Sequence, residues 1–376
     1  MTSIRTGNAR RETLAVVDLG VVAANYATLV GASGPAACAA IVKGDGYGLG
    51  MLPVARTCWR AGGRLFFVAR FEDGQRLRSE LPDARIAVLD GLSGWPPAAL
   101  SEHRLEPVLG TPEDARRWLA IGTPGPCMIH IDTGMNRLGI KPRELGAIAE
   151  AIRAQPRAVT TYITHFASAD DVDLRLCRAQ VAEFEAAIAG LPPAPRSIVN
   201  SSGLYLGVPE WRQAFTRPGK ALAGINPLPP GEPNPVAQAM TVTAPIVQVS
   251  DLARGESIGY SATFRATKPM RIATLGIGYA NGYLRSLSNR GVVAFNGRRA
   301  QIVGRVSMDL TTVDVTGQAE ADLSAGHGEM LGQTIGLTEL ATLARTNEYE
   351  MQISLGRGCK RVHVDPDASQ PEEGRR

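Results

Sequence analysis

Several shortages bound what this chain of 376 residues can be. No apolar run approaches the roughly 18 residues of a membrane-spanning helix, which argues against a membrane partner. Cysteine is sparse: Cys38, Cys58, Cys127, Cys177 and Cys359 are scattered, odd in number and never in a CxxC pair. That argues against a disulfide framework and a zinc ribbon, and predicts no metal site and a reducing, cytoplasmic setting. Residues Met1 to Thr13 are polar and Arg-bearing without an apolar stretch, so no secretory signal is expected. Aromatics are only 5%, the net charge is a mild +4, and the basic residues are dispersed, which speaks against a nucleic-acid partner. Lysine is scarce too. Of 40 basic residues only Lys43, Lys141, Lys220, Lys268 and Lys360 are lysines, so each one draws attention. What remains is ordinary globular usage, 44% hydrophobic and 20% charged, at a length that suggests two domains or a large barrel with an appendage.

From Thr13 to about Asn226, short apolar runs alternate with amphipathic stretches. Strands are expected at Leu14–Leu19, Ala36–Lys43, Leu65–Ala69, Ile86–Asp90, Pro107–Leu109, Met128–Asp132, Val159–His165 and Ile198–Asn200. Helices are expected between them, one of them capped by Thr111. Eight such units with continuously apolar strands predict an α/β fold, an N-terminal (β/α)8 TIM-like barrel. A doubly wound open sheet is the rival, but no Gly-rich GxGxxG turn follows Leu14–Leu19. A proline-rich stretch ending at Pro235 reads as a rigid linker. Beyond it the periods shorten to strands at Thr241–Val249, Arg271–Gly276, Val292–Phe295, Gln301–Val306 and Thr312–Val315, with one helix at Leu337–Thr346. The expected organisation is therefore a barrel over residues 13–235 and a mostly-β domain over 236–376, after an N-terminal extension of residues 1–12.

Barrels carry their working residues at the C-terminal ends of their strands. Those ends hold Lys43, Arg137, His165, Asn200 with Ser201, and Arg217 with Gly219. A lysine after an apolar strand and before a Gly-rich turn faces the barrel mouth with its amine partly desolvated. Desolvation favours the uncharged amine, which attacks aldehydes. Taken alone, Lys43 also fits a strand-end lysine that reaches solvent. The turns Ser201-Ser202-Gly203 and Arg217-Pro218-Gly219 add hydroxyls and backbone N–H groups suited to a phosphate. An aldehyde-trapping amine beside a phosphate cup suggests pyridoxal 5'-phosphate.

At this point the sequence resembles the alanine racemases, fold-type III pyridoxal-phosphate enzymes. The resemblance runs through Val42-Lys43-Gly44-Asp45-Gly46-Tyr47-Gly48, Asp132-Thr133-Gly134-Met135-Asn136-Arg137 and Thr164-His165-Phe166-Ala167. It continues through Asn200-Ser201, Arg217-Pro218-Gly219, Gly259-Tyr260, Gly278-Tyr279-Ala280-Asn281-Gly282-Tyr283 and Gly304-Arg305-Val306-Ser307-Met308-Asp309. The blocks keep the family's order from about residue 40 to 315. The resemblance implies a homodimer with shared active sites acting on a small amino acid. Lys43 would hold the cofactor and serve as base on one face of the substrate, and Tyr260 of the partner subunit would serve on the other. It implies Arg217 at the pyridine nitrogen, Arg137 at the substrate carboxylate and the ring oxygen, and His165 beside the ring. Tyr47, Ser201, Gly219, the Lys220 backbone and Tyr349 would hold the cofactor's phosphate, and Asn200 would also bind the cofactor. Tyr279, Met308 and Asp309 would line the substrate pocket.

Bland readings exist for several of these. His165 fits a satisfied strand-end histidine, Tyr260 and Tyr279 fit ordinary β-domain aromatics, and Met308 fits core filling. There are also departures from the family pattern. Lys220 stands where Ile is usual, Ala223 where Tyr is common, and His130 where many members carry a lysine that steadies the arginine at 137. The tail from Ser354 to His363 is longer and lacks the usual Val-Pro. Alternatives therefore stay open: a racemase of serine or of a larger amino acid, a fold-type III amino-acid decarboxylase, or a catalytically weak cofactor-binding relative. The decarboxylase is disfavoured because no matching Cys motif occurs in the C-terminal half.

Overall fold

The computed structural model describes residues 12–366, apart from Thr123, Pro124, Val172, Pro230 and Ser324. The described residues form two compact units, one of Val22–Gly46 with Met51–Ala237, the other of residues 12–21, Tyr47–Gly50 and residues 238–366.

The first unit is a parallel barrel. Its strands are Ala37–Cys38 with Ala40–Ile41, then Leu65–Val68, Arg85–Val88, Glu106–Leu109, Cys127–His130, Val159–Ile163, Arg196–Ser197 and Phe215–Thr216. Seven of them pair in sequence order, and Phe215–Thr216 pairs in parallel with Ala37–Cys38. The Arg217 amide donates to the Val199 carbonyl at 2.9 Å, joining the last two strands and closing the ring. Leu65–Val68 and Glu106–Leu109 are buried along their whole length, as expected of strands covered on both faces. Helices include Met51–Arg60, Phe71–Glu80, Pro112–Leu119 and Arg175–Ile188. Thr111 caps Pro112–Leu119, its hydroxyl accepting from the Asp114 amide at 3.1 Å.

Two strand assignments need correction. Leu14–Asp18 is not a barrel strand, and the eighth strand is Phe215–Thr216, which reads as loop in the sequence. The proline-rich stretch is also less free than a linker. The Asn25 side chain clasps the Ala237 backbone through two 2.8 Å bonds, and the Asn234 amide donates to the Gly224 carbonyl at 3.0 Å.

The second unit is built on one long strand, Met240–Leu252. It pairs antiparallel with Leu14–Asp18, Met270–Leu275 and His327–Leu331. Leu14–Asp18 lies between it and Lys360–Val364, to which it is parallel. The expected strand Gln301–Val306 is instead Arg298–Gln301, in a hairpin with Val292–Phe295. Besides Leu337–Ala344 the unit holds a helix that the sequence reading omitted, Glu348–Gly358, capped by Asn347 on the Glu350 amide at 2.9 Å. Of the N-terminal extension expected over residues 1–12, only Glu12 is among the described residues. Its carboxylate meets the Lys360 ammonium at 2.6 Å.

The unusual tail now has a physical reason. A Cβ on Gly356 would sit 2.0 Å from the Gly48 carbonyl oxygen, and one on Gly358 would sit 2.2 Å from the Asn281 carbonyl carbon. Gly282 meets the Ser354 carbonyl oxygen in the same way, at 2.1 Å. Glycines thus let helix Glu348–Gly358 lie backbone to backbone on Gly48 and on the Tyr279–Gly282 turn. Gly356→Ala is expected to cost about 1–3 kcal/mol by overpacking, read as a lower thermal midpoint. Gly146→Ala, whose Cβ would meet nothing within 4 Å, should not lower it.

Candidate functional site

Lys43 follows directly on the first barrel strand, whose end is fixed by the Val42 amide donating to the Phe67 carbonyl at 2.9 Å. The chain then keeps a positive φ over five successive residues, Gly44 (64°), Asp45 (56°), Gly46 (64°), Tyr47 (55°) and Gly48 (86°). L-residues avoid this region at about 1–2 kcal/mol each, and glycine does not. The three glycines carry no such cost, which falls on Asp45 and Tyr47, and the Asp45 carboxylate accepts from the Met51 amide at 2.8 Å to hold the turn. The Lys43 side chain is left at the barrel mouth, half-buried. Burial, and then the positive charge of Arg137, push its pKa below the ordinary lysine range, while the Asp90 carboxylate works against them.

Arg217 is fully buried at the same end of the barrel. Its guanidinium donates to the Ser197 hydroxyl and to the carbonyls of Thr164 and Ile198. All three acceptors are neutral, and burial pushes its pKa down to about 9. Two histidines stand in the same field. Burial, then Arg217, brings His130 down to about 4, and Arg137 adds to the effect. His165 is held well below its usual range by burial and by the positive charges of Arg217, Arg137 and Lys43. Both imidazoles are neutral at neutral pH. The mouth thus gathers Lys43, Arg137 and Arg217 around uncharged histidines. Asp132 is already committed, its carboxylate paired with the Lys141 ammonium at 2.7 Å.

The turns after the last two strands form a polar cradle. The buried Ser201 hydroxyl accepts from the Gly219 amide at 2.9 Å and the Ala221 amide at 3.3 Å, so its own proton can serve a third partner. The Asn200 side chain is turned back onto its own loop, accepting from the Gly203 amide at 3.0 Å. Lys220 is half-buried and Ala223 buried, its amide bonded to the Gly219 carbonyl at 3.3 Å. The barrel unit therefore brings together Lys43, Arg137, His165, Asn200, Ser201, Arg217, Gly219 and Lys220.

The remaining candidates belong to the β unit. Tyr47 and Tyr349 face one another with ring centroids 6.3 Å apart. The Tyr47–Gly50 backbone is held by the tail: Gln352 donates to the Tyr47 carbonyl at 3.1 Å, and Arg361 to the Gly48 carbonyl at 3.1 Å. His363 bonds the Leu49 carbonyl at 2.7 Å. Tyr260 is 70% exposed and Met308 56%, with Tyr279 and Asp309 exposed as well. They share one face, because the Tyr279 and Ala280 amides donate to the Ser307 and Met308 carbonyls, and Arg305 donates to the Ser261 hydroxyl at 2.9 Å.

Sequence reasoning missed the residues that hold this set in place. Gln180, buried on helix Arg175–Ile188, donates to the His165 carbonyl at 2.9 Å and accepts from the Ala167 amide at 2.9 Å. It thereby fixes the loop that carries His165. A glutamine on the apolar face of a helix was the available signal. Ser197, bonded to Arg217, gave none.

The neutral histidines set a pH window for stability. For His130 the unfolded chain takes up a proton near 6.5 and the folded chain only near 4. The unfolded state therefore binds more protons between these values, and stability falls as pH drops from about 6.5 to about 4. The expected NMR titration of His130 has its midpoint near 4, and His130→Gln should reduce the loss of thermal stability across that window.

Residues 17–227 match the family model described as alanine racemase, N-terminal domain, and residues 239–363 match the alanine racemase C-terminal domain. An alanine racemase of Methylobacterium sp. (strain 4-46) is 38% identical over 93% of this chain and 97% of its own length. One of Acidiphilium cryptum is 40% identical over 92% and 97%. A crystal structure of the Bartonella henselae alanine racemase with covalently bound pyridoxal phosphate is 31% identical, covers 94% of this chain and 99% of that one, and superposes with a TM-score of 0.88. With a closed barrel and a strand-rich second unit, and with both family models matched along it, this chain belongs to the alanine racemase family.

Proposed function

We propose that this protein interconverts L- and D-alanine with pyridoxal 5'-phosphate, as a homodimer whose two active sites each join the barrel mouth of one subunit to the β unit of the other. The observation that carries this reading is the amine of Lys43, biased toward its uncharged form at a cation-rich barrel mouth. The residues present fit the cofactor. An uncharged amine suits its aldehyde, and the Ser201 hydroxyl, its oxygen already held by the Gly219 and Ala221 amides and its proton left to donate, suits its phosphate. Arg217 suits the pyridine nitrogen: its acceptors are neutral oxygens, and at pH 7 it still carries its protons. When bound, the cofactor supplies the electron-withdrawing system that makes the substrate Cα–H acidic.

The protein's own groups then handle binding and protons. Arg137 takes the substrate carboxylate. Lys43 Nζ removes or returns the Cα proton on one face, and the phenol of the partner's Tyr260 does so on the other. His165 packs beside the ring as a neutral group. Asn200, Lys220, Tyr47 and Tyr349 complete the phosphate side, and Tyr279, Met308 and Asp309 wall the substrate pocket. Shared sites are supported by the exposure of Tyr260 and Met308, large side chains on one face of the β unit. A cytoplasmic setting is supported by five unpaired, buried cysteines.

Purified protein should be yellow, bleach on borohydride treatment with the label on Lys43, and racemise alanine better than other amino acids. Lys43→Ala should lose the colour and the activity. Tyr260→Phe should keep the colour and lose about 10²–10⁴ in rate. Mixing the two inactive variants should restore about a quarter of the activity, since statistical hybrids hold one intact site of two. No recovery would mean that each subunit carries its own complete site.

A further inference from the structure

Asp90 stands at the barrel mouth with no part in the cofactor cradle or the substrate wall. It leaves the third barrel strand directly after Leu89, whose amide donates to the Val68 carbonyl at 3.0 Å. Its own amide donates to the Ala69 carbonyl at 3.1 Å. The Val42 amide meets the Phe67 carbonyl on the other side of that same middle strand. Lys43 and Asp90 thus emerge at nearly the same level, two strands apart, a backbone gap of about 10 Å at ordinary strand spacing. That is within reach of a lysine stem extended toward an aspartate. The Asp90 carbonyl is pinned by the Ser93 hydroxyl at 2.8 Å, and its carboxylate meets the Arg70 guanidinium at 3.2 Å. Arg70 is exposed and Asp90 is largely covered, so the arginine lies over the carboxylate from the solvent side.

We propose that Asp90, steadied and partly neutralised by Arg70, is a positioning residue that holds the Lys43 amine at the barrel mouth and sets how readily it keeps a proton. The inference rests on the reading of Lys43 as the reacting amine. An amine that passes a proton to and from Cα must be able to hold that proton for part of the cycle. The other charges that face Lys43 come from the loops after the fifth and sixth strands. Arg137 opposes the ammonium form, and His165 is neutral beside it. Burial opposes the ammonium as well, and Asp90 is the group that favours it. Asp132, which also lies at this end, is neutralised by Lys141. Arg70 divides the carboxylate's attention, so its removal should strengthen the hold of Asp90 on Lys43.

The test uses the protein without cofactor. Its five lysines, labelled by ¹³C reductive methylation, give few signals, and Lys43→Ala identifies the one of interest. Asp90→Asn, which keeps the shape, should move the Lys43 titration midpoint down by about one pH unit, and Arg70→Gln should move it up by about half a unit. In the loaded enzyme the acidic limb of kcat, which reports the Lys43 amine once substrate has taken its place on the cofactor, should follow in the same directions, with unchanged thermal midpoints. A midpoint that moves by less than about 0.2 unit in both variants, or in the same direction in both, overturns the proposal. Opposite shifts in a protein that takes up no pyridoxal phosphate would uphold the link between Asp90 and Lys43 and overturn the cofactor reading alone.

Discussion

A primary amine is a nucleophile or a base only while it is uncharged, and the barrel mouth is arranged around that constraint. Burial alone would bias Lys43, but the fold adds the positive charge of Arg137, and at the same end of the barrel it places a buried guanidinium, that of Arg217, which no carboxylate neutralises. The same field keeps His130 and His165 free of protons, so the histidines act as shaped, neutral walls. Such a concentration of positive charge is unfavourable by itself. It becomes favourable when an anion with several oxygens settles among it, so the protein should be most stable in its loaded form.

The anchors of this arrangement are made of neutral groups. The partners of Arg217 are two carbonyls and a hydroxyl, and the His165 loop is pinned by the amide of Gln180. A carboxylate in any of these places would cancel the field that keeps His130 and His165 uncharged. This also gives a reason for the ion pair between Lys141 and Asp132: it removes a negative charge from the mouth while the Asp132 carboxylate still caps the Gly134 and Asn136 amides.

Much of this was legible in the sequence because scarcity and local punctuation carry information. Lys43 stood out as one of few lysines, set between an apolar strand and alternating glycines whose φ angles prove positive. The barrel class was legible from the rhythm of the strands, but membership of single strands was not. Leu14–Asp18 has the apolar character of a barrel strand, and only its distant partners assign it to the other unit. Phe215–Thr216 is too short to leave a period. Helix Glu348–Gly358 was obscured by two glycines that lower helix propensity, placed where backbones touch. The role of Gln180, which showed only as a polar residue on an apolar helix face, and that of Asp90 were hidden for a different reason. Their significance lies in groups brought near by the ring of strands, which no local window contains.

The position of Leu14–Asp18 also orders events during synthesis. It leaves the ribosome before the barrel is made, yet its neighbours are Met240–Leu252 and Lys360–Val364, both made after the barrel. The barrel unit, complete by Ala237, can close while that strand still waits, with its backbone groups unpaired and its valines uncovered. The nascent chain thus carries an adhesive edge ahead of the barrel until Lys360–Val364 has been made. Contacts of such long sequence separation form slowly, and chaperone shielding of this one segment would matter more to the yield of folded protein than shielding of the barrel.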